Sequence, residues 1–364
     1  MKKVLILSVL ILVLSGCVGA KSTAGQGKND PKPVALTHTL TTVIQPTATI
    51  TKPTPTTLKP TASLPQPTST PTFMLADPTG MAYSIPNFDH IVLIVLENQY
   101  LQDVIGNPRM PVINALAKNN VLLANYSPIA HPSLPNYLAL VSGSTQNITS
   151  DCTDCFVNTP NLADEIEASG RTWKAYMEDM PSPCFVGNKK PYVQMFDPFI
   201  YFDSIRLNPV RCGRSIVPLP QLNKDLSANQ LPNFVYIAPN LCNSGHDCPP
   251  ETSDKWIGNI VTELTASTAL GKNSLIVITY DEGVEKDTLT KTRGEVTTLL
   301  ISPQARPGFV DTNRYTHFGL LKTFLKAWNL PDLGETGSFG TTVIQEPWLN
   351  QVGQDLPNEL TLTP

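Results

Sequence analysis

Two apolar runs that stop dead at carboxylates constrain this chain more than any other feature. Ser274-Leu275-Ile276-Val277-Ile278-Thr279-Tyr280 has strand length and β-branched character, and it ends at Asp281-Glu282-Gly283. His90-Ile91-Val92-Leu93-Ile94-Val95-Leu96 has the same design and runs straight into Glu97-Asn98. Uninterrupted apolar runs of this length read as strands buried on both faces, the signature of a parallel sheet covered by helices. Open α/β sheets place their ligands beyond the carboxyl ends of the strands. Glu97, Asn98, Asp281 and Glu282 would then aim their oxygens at one point.

The segments between the two runs fit the same sheet. Pro111 to Lys118 has a helical pattern, and Val121 to Tyr126 reads as one strand. Asn161 to Gly170 reads as an amphipathic helix closed by glycine, followed by a strand over Arg171–Glu178. Asn233–Asn240 is a further buried strand, Trp256 to Ser267 a helix, Glu295–Pro303 a strand, and Phe318 to Trp328 a helix. Pro191 to Ile205 is aromatic and irregular, and reads as a cleft wall.

Ser133 stands out in Ile129-Ala130-His131-Pro132-Ser133-Leu134-Pro135-Asn136-Tyr137, directly before an apolar helical pattern that ends at Gly143. A serine before a helix is most often its N-cap. At a strand-to-helix corner its hydroxyl also lies near free backbone N–H groups, where anions bind. The neighbouring His131 and the carboxylates favour the second role. His246-Asp247 follows the strand at 233–240, and His317 opens the helix at 318–328. Taken alone, the first pair is an exposed polar turn and the second a cap-region histidine. His131, His246 and His317 all follow strands at the same end of the sheet, whereas His90 precedes its strand and reads as structural.

The termini read differently. Met1-Lys2-Lys3 and the apolar run Val4 to Leu14 have the form of a secretory signal. Leu14-Ser15-Gly16-Cys17 resembles the bacterial lipoprotein processing box, which implies that Cys17 becomes a lipidated first residue. Residues 1–16 are thus expected as signal peptide and 17–80 as a Thr/Pro-rich spacer. Such a spacer is too poor in large apolar side chains to fold. The folded domain is expected over 81–350 and a short tail over 351–364, with membrane contact only through Cys17. His38, in the spacer, is assigned no role. Beyond Cys17 there are six cysteines, an even set suited to an oxidising compartment. Proximity alone pairs them 152–155, 184–212 and 242–248. A net charge of -4 leaves no basic footprint for nucleic acid.

Taken together and in order, Val95-Leu96-Glu97-Asn98, His131-Pro132-Ser133-Leu134-Pro135-Asn136-Tyr137, Pro239-Asn240 through His246-Asp247, Thr279-Tyr280-Asp281-Glu282-Gly283 and Tyr315-Thr316-His317 resemble a known family. It comprises the bacterial and fungal phosphoesterases, acid phosphatases and phospholipases C among them, of the alkaline-phosphatase-like superfamily. The resemblance implies an α/β three-layer sandwich with a largely parallel central sheet and helices on both faces. It also implies that Ser133 is a nucleophile that becomes phosphorylated. Glu97, Asn98, Ser133, Asp281 and Glu282 would be ligands of one divalent metal ion, and His131, His246, Asp247 and His317 would surround the phosphoryl group. Relatives often carry His-Asn-Pro where this chain reads Phe196-Asp197-Pro198, a departure that touches substrate preference.

The chemistry is coherent without the family. A serine hydroxyl needs a base or a cation to become a nucleophile. Oxygen-only ligation suits Mg²⁺, Ca²⁺ or Mn²⁺. The expectation is an exported phosphomonoesterase of the acid phosphatase kind acting on small phosphate esters. Two rivals stand beside it: a phospholipase C or other phosphodiesterase, and a non-catalytic phosphate- or glycan-binding surface protein on the same scaffold.

Overall fold

The computed structural model describes residues 82–83, 85–283, 294–348 and 351–352. The expected signal peptide, Cys17, the expected spacer and all of the expected tail but 351–352 lie outside the described residues. Twelve strands are present among those described: β1 Ala82–Tyr83, β2 His90–Leu96, β3 Val121–Leu123, β4 Tyr126–Ser127, β5 Trp173–Met177, β6 Ile216–Pro218, β7 Phe234–Ala238, β8 Ser274–Tyr280, β9 Thr298–Ile301, β10 Val310–Asp311, β11 Tyr315–Thr316 and β12 Gln351–Val352.

Eight of them form one sheet in the order β10-β3-β9-β8-β2-β7-β5-β6. The centre is parallel: β2 pairs with β8 on one side and β7 on the other, and β5 continues the parallel set to β6. Only β9 runs against its neighbours, β8 and β3. Along β2 every residue from Ile91 to Leu96 is fully buried. Successive side chains point to opposite faces, so both faces of the sheet are covered. The covering elements include the helix Ser133–Ser142 packed with His317–Ala327, and the helix Pro111–Asn119 packed with Pro250–Ala266. The expected layered α/β architecture is the observed one.

Local departures have physical reasons. The expected strand over 121–126 divides, because the chain turns at Ala124-Asn125 and hands Tyr126 to a separate two-stranded sheet with β11. The long helix begins at Pro250, six residues before Trp256, with proline in its first turn, where a missing N–H costs nothing. Residues 191–205 are less a cleft wall than a piece of core. Phe196, Phe199, Ile200, Tyr201 and Phe202 are all buried there in two short 3₁₀ turns. All three expected disulfides are present: Cys152–Cys155, Cys184–Cys212 and Cys242–Cys248.

Candidate active site

β2 and β8 are paired in register from His90↔Ser274 to Leu96↔Tyr280, so the two strands end side by side. That register carries Glu97 and Asp281 off the sheet as neighbours, and Asp281 N–H donates back to the Leu96 carbonyl at 3.0 Å. An extended chain would send the Glu97 and Asn98 side chains to opposite faces. Asn98 instead adopts a left-handed conformation, φ 55°, which asparagine tolerates better than most residues. Its side-chain amide donates to Glu97 Oε2 at 2.9 Å and its backbone N–H donates to Asp281 Oδ1 at 3.3 Å. Gly283 follows, where any Cβ would collide with the Tyr100 ring.

Ser133 arrives from the first turn of the helix Ser133–Ser142. It makes no N-cap hydrogen bond; instead, Asp151 Oδ1 accepts the Leu134 N–H at 2.9 Å. Freed from capping, the Ser133 hydroxyl lies 3.2 Å from Glu282 Oε1 and 3.4 Å from Glu97 Oε2, donating to either. His131 Nδ1 closes on Glu282 Oε2 at 2.5 Å. Ser133, Glu97, Asn98, Asp281, Glu282 and His131 therefore form one connected cluster. His131 is partly exposed, while the serine and all three carboxylates are buried.

His246 and Asp247 lie on the adjoining loop, closed by Cys242–Cys248. That loop is fastened to the end of β2: Glu97 N–H donates to the Ser244 carbonyl at 3.0 Å. His246 Nδ1 lies 2.6 Å from Asp247 Oδ1, and both residues are exposed.

His317 occupies a different place from the one the resemblance implies. It is fully buried at the start of its helix, behind Asp281. Its Nε2 lies 2.6 Å from the Asp281 carbonyl and its Nδ1 2.9 Å from the Tyr126 hydroxyl. A carbonyl only accepts, so Nε2 carries the proton and Nδ1 accepts from the tyrosine. With both nitrogens engaged in the core, no edge is left to meet a phosphoryl group. Burial pushes its pKa down to about 4, opposed by the bond to Asp281, so the ring is neutral.

Asn136 is the residue that sequence reasoning left without a role. Fully buried, it accepts from the Ile129 and Ala130 N–H groups at 2.8 and 2.9 Å, and donates to the Ala130 carbonyl at 2.8 Å and to Glu282 Oε2 at 3.3 Å. It therefore fixes the loop bearing His131 and one oxygen of Glu282 together. The available signal was an amide three residues after Ser133, on the same face of an otherwise apolar helix.

The site is rich in negative charge. Burial, and then repulsion from Asp281, hold the Glu97 carboxyl well above the usual range. Burial, and then Glu282, do the same to Asp281. Among the described residues no lysine or arginine pairs with Glu97, Asp281 or Glu282, and Glu97 Oε1 and Asp281 Oδ2 are buried without hydrogen-bond partners. Two orphaned carboxylate oxygens in a cluster lacking a cation fit a hard metal ion. Among the described residues no three His, Cys, Asp or Glu side chains form a ready-made metal cage. Ser133 and Asn98 are the further oxygen-bearing side chains bonded to these carboxylates.

A model of the phosphoesterase family matches residues 105–331, well over half of the chain. The chain belongs to this phosphoesterase family. A phosphate-repressible acid phosphatase of Penicillium chrysogenum is 31% identical over 260 residues, 68% of this chain and 60% of that protein. A phosphatidylinositol-3-phosphatase of Mycobacterium tuberculosis is 31% identical over 260 residues, 70% of this chain and 81% of that protein. The chain thus spans about three fifths of the Penicillium protein's length. Among solved structures, a sulfatase-type protein of Bacteroides thetaiotaomicron aligns with TM-score 0.50 at 14% identity, over 71% of this chain and 74% of that one. A member of the alkaline phosphatase superfamily from Vibrio parahaemolyticus aligns with TM-score 0.48 at 13% identity, over 72% of each. The likeness to the Bacteroides protein concerns fold alone.

Proposed function

We propose that this protein is a metal-dependent phosphomonoesterase that works through a phosphoserine on Ser133. The observation carrying this reading is the buried Ser133 hydroxyl within hydrogen-bond reach of both Glu97 and Glu282, beside two unpartnered carboxylate oxygens. Glu97, Asn98, Asp281, Glu282 and Ser133 would hold the ion, with Mg²⁺, Ca²⁺ and Mn²⁺ suited to that donor set. When bound, the ion supplies charge neutralisation at the phosphoryl oxygens and a lowered pKa for the serine hydroxyl.

The remaining work falls to the protein's own residues. Glu282 accepts the Ser133 hydroxyl bond and is itself held by His131 and Asn136, which aims the serine oxygen. Ser133 Oγ, its proton passing to Glu282, bonds to phosphorus as the bond from phosphorus to the ester oxygen breaks. His246, its Nδ1 tied to Asp247, presents Nε2 as the proton donor to the departing alcohol. Water, giving a proton to His246, then attacks the phosphoserine; phosphate leaves and the serine oxygen takes its proton back from Glu282. The relatives named as acid phosphatases and as a phosphatidylinositol phosphatase support a monoester substrate.

Export and tethering through Cys17 complete the proposal. The signal-like start and the six further cysteines support it, and the three disulfides suit an oxidising compartment. No helix among the described residues is long and apolar enough to cross a membrane. Incorporation of labelled fatty acid, abolished by Cys17→Ala, tests the anchor. Assay of p-nitrophenyl phosphate beside bis-p-nitrophenyl phosphate and phosphatidylcholine tests the activity. Faster hydrolysis of either diester would replace this reading with a phosphodiesterase. Phosphate binding without turnover in any metal would leave a binding protein.

A further inference from the structure

Both ladders of β8 stop short of Asp281. The pairing with β2 ends at Tyr280 and the pairing with β9 ends at Thr279, so the Asp281 carbonyl lies beyond both ladders. A buried carbonyl left unpaired is costly and free to turn. This one is taken by His317, whose Nε2–H donates to it at 2.6 Å. The ring is held in turn by the Tyr126 hydroxyl, which donates to Nδ1 at 2.9 Å and so fixes which nitrogen carries the proton. Tyr126 and His317 are both fully buried. They are also tied to each other through the backbone. Tyr126 belongs to β4, and β4 pairs with β11, whose last residue, Thr316, directly precedes His317.

The peptide between Asp281 and Glu282 matters because its orientation sets where both carboxylates point. Among the described residues, the backbone bonds beside it come from the β2 side: Asp281 N–H to the Leu96 carbonyl at 3.0 Å and Gln99 N–H to the Glu282 carbonyl at 3.1 Å. We propose that His317 is a positioning residue, clamped by Tyr126, that locks the Asp281–Glu282 peptide from the far side and keeps both carboxylates aimed at the Ser133 cluster. The inference rests on the reading of that cluster as a metal-assisted phosphatase site. It gives the buried histidine a task that needs no contact with substrate.

The test uses the full chain and three variants: His317→Leu, His317→Gln and Tyr126→Phe. Mn²⁺ affinity is measured by titration calorimetry, kcat and KM with p-nitrophenyl phosphate, and folding by circular dichroism and Tm. Glutamine can place an amide N–H near the position of Nε2, whereas leucine cannot. His317→Leu should weaken Mn²⁺ binding and lower kcat by about 10–100-fold each, the range for loss of a group that orients a metal ligand. KM should change little, because no substrate contact is lost. His317→Gln should recover most of both losses, and Tyr126→Phe should show a smaller loss of the same kind. Wild-type Mn²⁺ affinity and kcat in folded His317→Leu would overturn the proposal, and so would a glutamine variant no better than leucine. Should leucine prevent folding, wild-type Mn²⁺ affinity and kcat in Tyr126→Phe, together with a raised KM at wild-type Mn²⁺ affinity in His317→Gln, would overturn it equally. Wild-type protein that neither binds Mn²⁺ nor turns over would instead refute the phosphatase reading, before any variant is compared.

Discussion

Ser133 Oγ and Glu282 Oε1 stand 3.2 Å apart, although 149 residues separate them in the chain. Two unrelated pieces of local structure produce that approach: a strand that runs out at Tyr280, and a helix whose first residue is Ser133 itself. Glu282 is then the junction of the site, since His131 and Asn136 both bond its other oxygen.

Asn136 should therefore be worth more than a core amide. Asn136→Leu leaves the Ile129 and Ala130 N–H groups and the Ala130 carbonyl without their partner. These groups are part-buried, so each one orphaned costs up to about 1–3 kcal/mol. Urea unfolding should show a loss of about that size. Activity per folded molecule should fall as well, because Glu282 loses one of its two supports.

The Cys242–Cys248 bridge should matter more for turnover than for stability. It closes a short loop of sequence separation 6, worth about 2 kcal/mol by chain entropy, against about 3.5 kcal/mol for Cys184–Cys212 with separation 28. The short loop carries His246 and Asp247, however, and bonds the backbone of Glu97. Cys242→Ser/Cys248→Ser should lower kcat several-fold with a small change in Tm. Cys184→Ser/Cys212→Ser should show the reverse.

Asp197 gives the protein a pH dependence unconnected with the site. Burial raises its pKa from 3.8 to about 7, with backbone N–H bonds from Phe199 and Ile200 opposing, and Oδ2 has no partner. Between those values the folded state holds a proton that the unfolded state has released, so stability falls as pH rises from about 4 to about 7. The loss from this group is at most roughly 4 kcal/mol. Asp197→Asn keeps an oxygen for the Phe199 N–H and cannot ionise. Its stability relative to wild type should be level near pH 4 and should climb to an advantage above pH 7, read from urea midpoints across the range.

How much of this was legible in the sequence divides along physical lines. Strand ends were legible because a buried parallel strand has an unmistakable apolar run, whereas the adjacency of β2 and β8, with Leu96 against Tyr280, came only from the structure. The three disulfides were legible because each closes onto a near neighbour in sequence. Direction was not: the run 295–303 looks like any buried strand, yet β9 is antiparallel, a matter of how the chain returns to the sheet. The task of His317 was hidden for a related reason. Its position after a strand and before a helix is the same for a histidine facing the cleft as for one facing inward. Only the pairing of β4 with β11, two residues each, turns it toward the Asp281 carbonyl. Tyr126 was likewise read as the end of a strand and not as the start of another.

Metal removal should be reversible and specific. Dialysis against a chelator should abolish hydrolysis of p-nitrophenyl phosphate, and Mn²⁺ or Mg²⁺ should restore it. Glu97→Gln and Asp281→Asn should each lower metal affinity while removing a buried carboxylate held well above its usual pKa, so neither should unfold the protein. Retention of full activity after exhaustive chelation would remove the cation from the account.

The most direct test of the central claim is covalent. Wild-type protein mixed with a ³²P-labelled monoester and quenched in acid should retain label on a single peptide containing Ser133, and Ser133→Ala should retain none while folding normally. Label on any other residue, or turnover by the alanine variant at the wild-type rate, would contradict it.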